Sequence, residues 1–374
     1  MFISSPLVTV IIGTRPEAIK LAPVIKELLS ESYFNVRVVL TGQHKELVNQ
    51  VLTLFSIEAD NNLNIMSERQ TLSDITKRTL IGLEKEFEKY TPKLVLVQGD
   101  TSTAFVSALA AFYKKIKVGH IEAGLRTNNI YDPFPEEVNR RLISQIAYFH
   151  FAPTEISHKN LLDSNVQGKV IKTGNTVIDA LKIISEKVSK INFFDGEFKN
   201  NKLILLTVHR RENRGKKLKE IADGILLILS IYKDVNFLIP LHPNPTVNIP
   251  LREMLGSHPR INLCKPLDYF EIVSAMKYCY FVMTDSGGIQ EEAPSLGKPV
   301  LVIRDTTERP EGIQAGTTKL IGTKTKDIFE QADILLKDES IYRMMSKAIN
   351  PYGDGLASSR IIAAFKSEFL ISDL

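Results

Sequence analysis

Cysteine is nearly missing from this chain of 374 residues: Cys264 and Cys279 are the only two, without CxxC spacing and without a second pair. A disulfide framework and a structural zinc site therefore have no support, and a reducing compartment fits. Long apolar runs are missing as well. The stretch 7–12 is too short to span a bilayer, and Met1-Phe-Ile-Ser-Ser-Pro6 lacks the charged region and cleavage site of a signal peptide, so a cytoplasmic location is expected. No tail or stripe of one charge sign is present. The 47 basic and 43 acidic side chains, net +4, are spread along the chain and argue against a nucleic-acid partner. No GxGxxG follows the first apolar run and no GxxxxGK[ST] occurs, which counts against redox dinucleotides and P-loop chemistry. Neither His209 nor His242 has a partner at metal-ligand spacing, so a metal is not expected, and no other cofactor is expected either.

What is present is the composition of an ordinary globular protein, 44% hydrophobic and 24% charged, with a length suited to two domains. Short β-branched runs recur at 8–12, 36–40, 94–97, 118–121, 149–152, 203–208, 235–239, 280–284 and 300–303. Stretches of helical period lie between them, such as 18–29, 72–90, 102–113, 218–229 and 289–296. Continuous apolar strands alternating with helices predict parallel sheets covered on both faces, a doubly wound α/β architecture. The pattern weakens over 185–201, where Lys, Asn, Asp and Gly dominate, and restarts at Lys202. A hinge is expected within 172–200, separating a first domain, 1–172, from a second, 173–356.

In such sheets ligands bind beyond the carboxyl ends of the strands. After Ile12 comes Gly13-Thr-Arg-Pro-Glu-Ala-Ile-Lys20, with Pro16 suited to a first helical turn. Arg15 at a helix N-terminus suits a phosphate; the alternative is an ion pair with Glu17. Asp100 follows the run ending at Val97, and Glu122 the run ending at Ile121. Glu136-Glu137 follow a proline-stiffened loop, Asp132-Pro-Phe-Pro135. Carboxylates gathered in this way can separate acid from base roles, although Asp100 suits a helix N-cap equally well. In the second half His209-Arg-Arg211 follows one strand and His242 another, a concentration of cations suited to an anion. The segment Thr284-Asp-Ser-Gly-Gly-Ile-Gln-Glu-Glu292 runs from a strand through Ser286, Gly287 and Gly288 into a helix. That turn suits a phosphate, with Glu291 and Glu292 placed to accept ribose hydroxyls.

Taken in order, Gly13 to Lys20, Gly99-Asp-Thr101, Gly119-His-Ile-Glu-Ala-Gly-Leu-Arg126, Pro135-Glu-Glu-Val-Asn-Arg140, Thr173-Gly-Asn-Thr176, His209-Arg-Arg-Glu212, Thr284 to Pro299 and Arg304-Asp-Thr-Thr-Glu-Arg-Pro-Glu311 resemble the non-hydrolysing bacterial UDP-N-acetylglucosamine 2-epimerases. The resemblance is collinear from about residue 7 to Asn350-Pro-Tyr-Gly-Asp-Gly355. It implies two Rossmann-like domains facing a central cleft, as in GT-B glycosyltransferases, with a C-terminal helix of about 357–374 returning to the first domain. It implies a homodimer that interconverts UDP-N-acetylglucosamine and UDP-N-acetylmannosamine through a 2-acetamidoglucal, without cofactor or metal, for surface polysaccharides such as capsule or cell wall. By position it assigns Asp100, Glu122, Glu136 and His209 to catalysis. Arg15, Lys20, Arg210, His242, Ser286, Gly287, Gly288, Glu292 and Arg309 would bind the UDP-sugar. A second, activating UDP-N-acetylglucosamine would meet Gln43, Arg69, Glu136, Arg210 and His242. At that site Glu46 replaces a glutamine of some relatives, and either opposes the activator's phosphate or points to solvent. Competing readings are a UDP-sugar glycosyltransferase of the same fold, a 2-epimerase of a diacetamido uronic acid nucleotide, and a non-catalytic sensor.

Overall fold

Nine apolar runs become strands because each supplies side chains for both faces of a sheet, and four further short strands join them at the margins. The structure, a computed structural model, describes residues 5–43, 45–67, 70–127, 129–195 and 198–372. Two units divide the chain. One comprises residues up to Ala180 together with those from Gly353 onward, and the other is Leu181–Tyr352.

In the first unit the strands are β1 (Leu7–Ile12), β2 (Asn35–Leu40), β3 (Asn61–Asn62), β4 (Leu94–Gln98), β5 (Lys117–Ile121), β6 (Phe149–Ala152) and β7 (Lys169–Lys172). They form one parallel sheet in the order β3-β2-β1-β4-β5-β6-β7. Helices fill the crossovers, and one face of the core joins Val95, Val97 and Val118 to Leu83, Phe87, Ala104, Ala108 and Ile143. The small residues of the helix Ser102–Tyr113 let its neighbours Leu72–Lys89 and Glu136–Ile146 approach closely.

The second unit repeats the plan with β8 (Lys202–Thr207), β9 (Val235–Pro240), β10 (Ile261–Cys264), β11 (Phe281–Thr284), β12 (Val300–Val302) and β13 (Thr318–Leu320). These too are parallel, in the order β10-β9-β8-β11-β12-β13. Ile204, Leu206, Phe237, Phe281 and Met283 pack with Ile221, Ile225 and Ile228 of the helix Lys216–Ile231. Both units are doubly wound and Rossmann-like, as the alternation of strands and helices predicts. Among the described residues no helix is long and apolar enough to cross a membrane.

The helix Ala357–Ser372 belongs to the first unit. Its amino end is capped by the buried Asp179 carboxylate, which accepts from the Ser358 and Ala357 amides at 2.7 and 3.2 Å. Further along, Lys366 pairs with Glu31 at 2.6 Å. Glu368 accepts from Lys117 and Lys169 of the sheet at 2.6 Å each and from Tyr148, just before β6, at 2.5 Å. Next to Lys366, Phe365 sinks fully into the core, edge-on to the rings of Phe149 and Phe151.

Candidate active site

Strand order reverses once in each sheet, between β1 and β4 and again between β8 and β11. A crevice opens beyond the strand ends at such switch points, because the flanking crossovers leave to opposite faces. Most of the sequence-predicted residues lie near these two places.

In the first unit Glu122 comes directly after β5 with its backbone in the left-handed region, φ +62°, which is uncommon for a residue with a side chain. Its carboxylate is nearly buried and accepts from Lys20 Nζ at 2.6 and 2.7 Å and from Asn175 Nδ2 at 3.1 Å. A further short bond comes from Gln98 Nε2 at the end of β4. Lys20, expected on the substrate, is here the counter-charge of Glu122. Asp100 is held differently, by the Arg140 guanidinium through Nε at 3.0 Å and Nη2 at 2.5 Å. Burial pushes the Asp100 carboxyl above its ordinary range; Arg140 opposes this and the charge of Glu122 adds to it. The helix Ser102–Tyr113 is capped by Thr101, whose hydroxyl accepts from the Ala104 amide, so Asp100 is not its cap.

Glu136 opens the helix Glu136–Ile146 on the same face as Asn139 and Arg140, which bond the Asp100 carbonyl and carboxylate. The adjacent Glu137 is fully buried and structural, taking Arg140, Arg141 and the Thr127 amide. Arg15 does not pair with Glu17. Glu17 turns inward, accepting from the Gly13 amide at 2.6 Å and from the Thr14 and Thr101 hydroxyls at 3.1 and 2.7 Å, so the turn bearing Arg15 is tied to the loop bearing Asp100. Gln43 joins this network by accepting from Thr103 at 3.2 Å. Glu46 is exposed on the first turn of the helix Lys45–Phe55, and Arg69 lies outside the described residues.

In the second unit His209 and Arg210 follow β8, and Asp285 and Ser286 follow β11. Asp285 is completely buried and lies 2.9 Å from His209 Nδ1. The His209 and His242 rings stack at 6.0 Å. Burial, and then the neighbouring His209, lower the pKa of His242. Both imidazoles line a pocket of about 170 Å³ whose other walls are mostly apolar and include Pro240, Pro243, Pro266, Leu267 and Ile272. The last three were not singled out in the sequence. They follow the edge strand β10, and apolar side chains carry no chemical signature.

Beside this pocket Ser286 precedes the short helix Gly287–Glu292, and the Arg309 guanidinium lies directly on Gly287, where a Cβ would come within 2.4 Å of it. Arg309 Nε donates to Glu291 at 2.6 Å, and Tyr269 donates to Glu292 at 2.7 Å. Glu308 gathers Arg210 at 3.0 Å, Arg309 at 2.9 Å and Arg304 at 2.5 Å. Burial alone would raise its pKa, but the guanidiniums, Arg309 foremost, hold it at about 2.

The sequence profile of a family described as UDP-N-acetylglucosamine 2-epimerase matches residues 26–366. The chain belongs to this family. The UDP-N-acetylglucosamine 2-epimerase of Escherichia coli K12 is 47% identical over 369 residues, covering 96% of this chain and 98% of the relative. The crystal structure of the Neisseria meningitidis UDP-GlcNAc 2-epimerase bound to UDP-GlcNAc superposes with a TM-score of 0.88 at 48% identity, covering 96% of this chain and 99% of that one. S. aureus MnaA, solved with UDP, gives 0.88 at 46% identity and 97% coverage of both chains.

Proposed function

We propose that the chain interconverts UDP-N-acetylglucosamine and UDP-N-acetylmannosamine by eliminating and re-adding UDP. The observation that carries this reading is the pair of carboxylates at the first switch point. Glu122 is held by a lysine and two amides, and Asp100 by an arginine, so the two carboxylates sit in different surroundings and suit different roles, one moving a proton and the other holding a fixed negative charge. In the forward direction a base takes the C2 proton, the C–H electrons form the C1–C2 double bond of 2-acetamidoglucal, and the anomeric C–O pair leaves with the β-phosphate. In the return direction UDP adds to C1 and an acid delivers a proton to the opposite face of C2. Glu122 and Glu136 serve as the proton-transfer groups, with Asp100 stabilising positive charge at C1. In the second unit His209, Arg210, Arg309, Ser286 and the Gly287 and Gly288 amides receive the diphosphate, and Glu292 the ribose. The apolar pocket beside His209 suits the uracil ring. The protein would act in the cytoplasm, as a homodimer.

Turnover of UDP-N-acetylglucosamine in deuterated buffer is expected to place deuterium at C2 of the product, read by NMR. Retention of the original proton would overturn the elimination, and a glycosyltransferase would give no isomerised UDP-sugar. Gly287→Ala tests the diphosphate seat. The new methyl displaces only the far end of Arg309, so the fold is expected to survive while UDP affinity, measured by calorimetry, falls about 10-fold or more.

A further inference from the structure

Strands β8 and β11 are parallel neighbours in register, with Thr207 opposite Thr284 and their hydroxyls 2.6 Å apart. They therefore end level, and His209-Arg210 and Asp285-Ser286 emerge side by side. Asp285 lies between them. Its two oxygens accept from the His209 amide at 3.0 and 3.1 Å, the Arg210 amide at 2.9 Å and Asn213 Nδ2 at 3.0 Å, in addition to the His209 ring. Burial alone would raise the pKa of this carboxyl; the bonds from His209 and Arg210 outweigh it and keep the group below its ordinary range. An ionised carboxylate only accepts, so the nitrogen facing it must carry hydrogen.

The other described histidines with ring hydrogen bonds use the opposite arrangement. His120 and His150 point Nε2 at the carbonyls of Gly99 and Gln167, each at 2.8 Å, which requires hydrogen on Nε2. His242 and His258 accept backbone amides at Nδ1, at 3.1 and 3.2 Å, which leaves their hydrogen on Nε2 as well. His209 stands apart from these four.

We propose that Asp285 is the positioning residue of His209: it fixes the imidazole as the Nδ1–H tautomer with Nε2 toward the pocket, and sets that nitrogen in register with the Ser286-Gly287-Gly288 seat. This rests on the reading of His209 as a group that acts on the diphosphate. Because Asp285 directly precedes Ser286, one buried side chain fixes the distance from the imidazole to the turn that receives the anion.

The test is ¹⁵N NMR of the full chain labelled at histidine, at about pH 8.5, where ordinary imidazoles are neutral. His209→Asn identifies the His209 signals by their loss. The expected spectrum has His209 as the Nδ1–H tautomer and His120, His150, His242 and His258 as Nε2–H. An Nε2–H form at His209 in the unmodified protein overturns the proposal, whether or not any Asp285 variant folds. Asp285→Asn should release the tautomer and lower kcat by about 10²-fold, whereas Asn213→Ala, which removes a donor from the same carboxylate without touching the ring, should leave the tautomer unchanged. Unchanged kcat and tautomer in Asp285→Asn would also overturn it. Full epimerisation by His209→Asn would remove the functional reading of His209 and with it the positioning role, even with the tautomer as stated.

Discussion

Glu122→Gln is expected to lower kcat for epimerisation by at least about 10²-fold, the usual cost of removing a general acid or base, with UDP affinity nearly unchanged. The substitution keeps the volume of the side chain and removes its charge. It also reverses one hydrogen-bonding end, because the carboxylate accepts from Lys20, Gln98 and Asn175, and an amide must turn its own NH₂ toward one of those donors. The residues assigned to UDP are carried mainly by the second unit and are untouched, so calorimetry with UDP separates binding from chemistry. Progress curves from UDP-N-acetylglucosamine measure the turnover. A variant that retains normal kcat would show that Glu122 neither moves nor stabilises a proton.

The other large effect concerns stability. Phe365→Ala is expected to destabilise the protein by roughly 3–5 kcal/mol, the range for removing a fully buried aromatic ring. Phe365 is edge-on to Phe149 and Phe151 at centroid distances of 5.3 and 5.4 Å, and all three rings are fully buried. The surface ties of the same helix, such as Lys366 to Glu31, are partly exposed and contribute at most about 1 kcal/mol each, so they cannot compensate. The measurement is the urea midpoint; a loss under about 1 kcal/mol would mean that the helix is held by its rim.

All nine strands expected from apolar runs are present, with ends shifted by a residue or two. The four that were not legible, β3, β7, β10 and β13, are the four edge strands of the two sheets. An edge strand has one neighbour and partial solvent contact, so Asn61-Asn62 and Lys169-Val-Ile-Lys172 need no continuous apolar run. The site divides in a similar way. Positions just past strand ends located Asp100, Glu122, His209 and Ser286. Their partners were harder to see, since Lys20, Gln98, Arg140, Asn175 and Asp285 are fixed by contacts across long sequence separations. Four of these five already lay inside the segments that resemble the family, and Gln98 directly precedes Gly99. Sequence order alone also left open whether Asp100 capped a helix. The structure decides for Thr101 because the chain turns one residue later, which frees Asp100 for Arg140.

The first unit is interrupted after Ala180 and resumed only at Gly353, which places the whole of the second unit inside it as an insertion. On the ribosome this imposes a schedule. Phe149 and Phe151 leave the exit tunnel long before Phe365 exists, and at about 5–20 residues per second the wait is on the order of 10–40 s. During that interval the inserted Leu181–Tyr352 can complete its own sheet, while the aromatic surface laid down first stays uncovered. The nascent chain is therefore exposed to aggregation and to chaperone capture until Phe365 emerges, and slowing translation across the insertion lengthens that exposure.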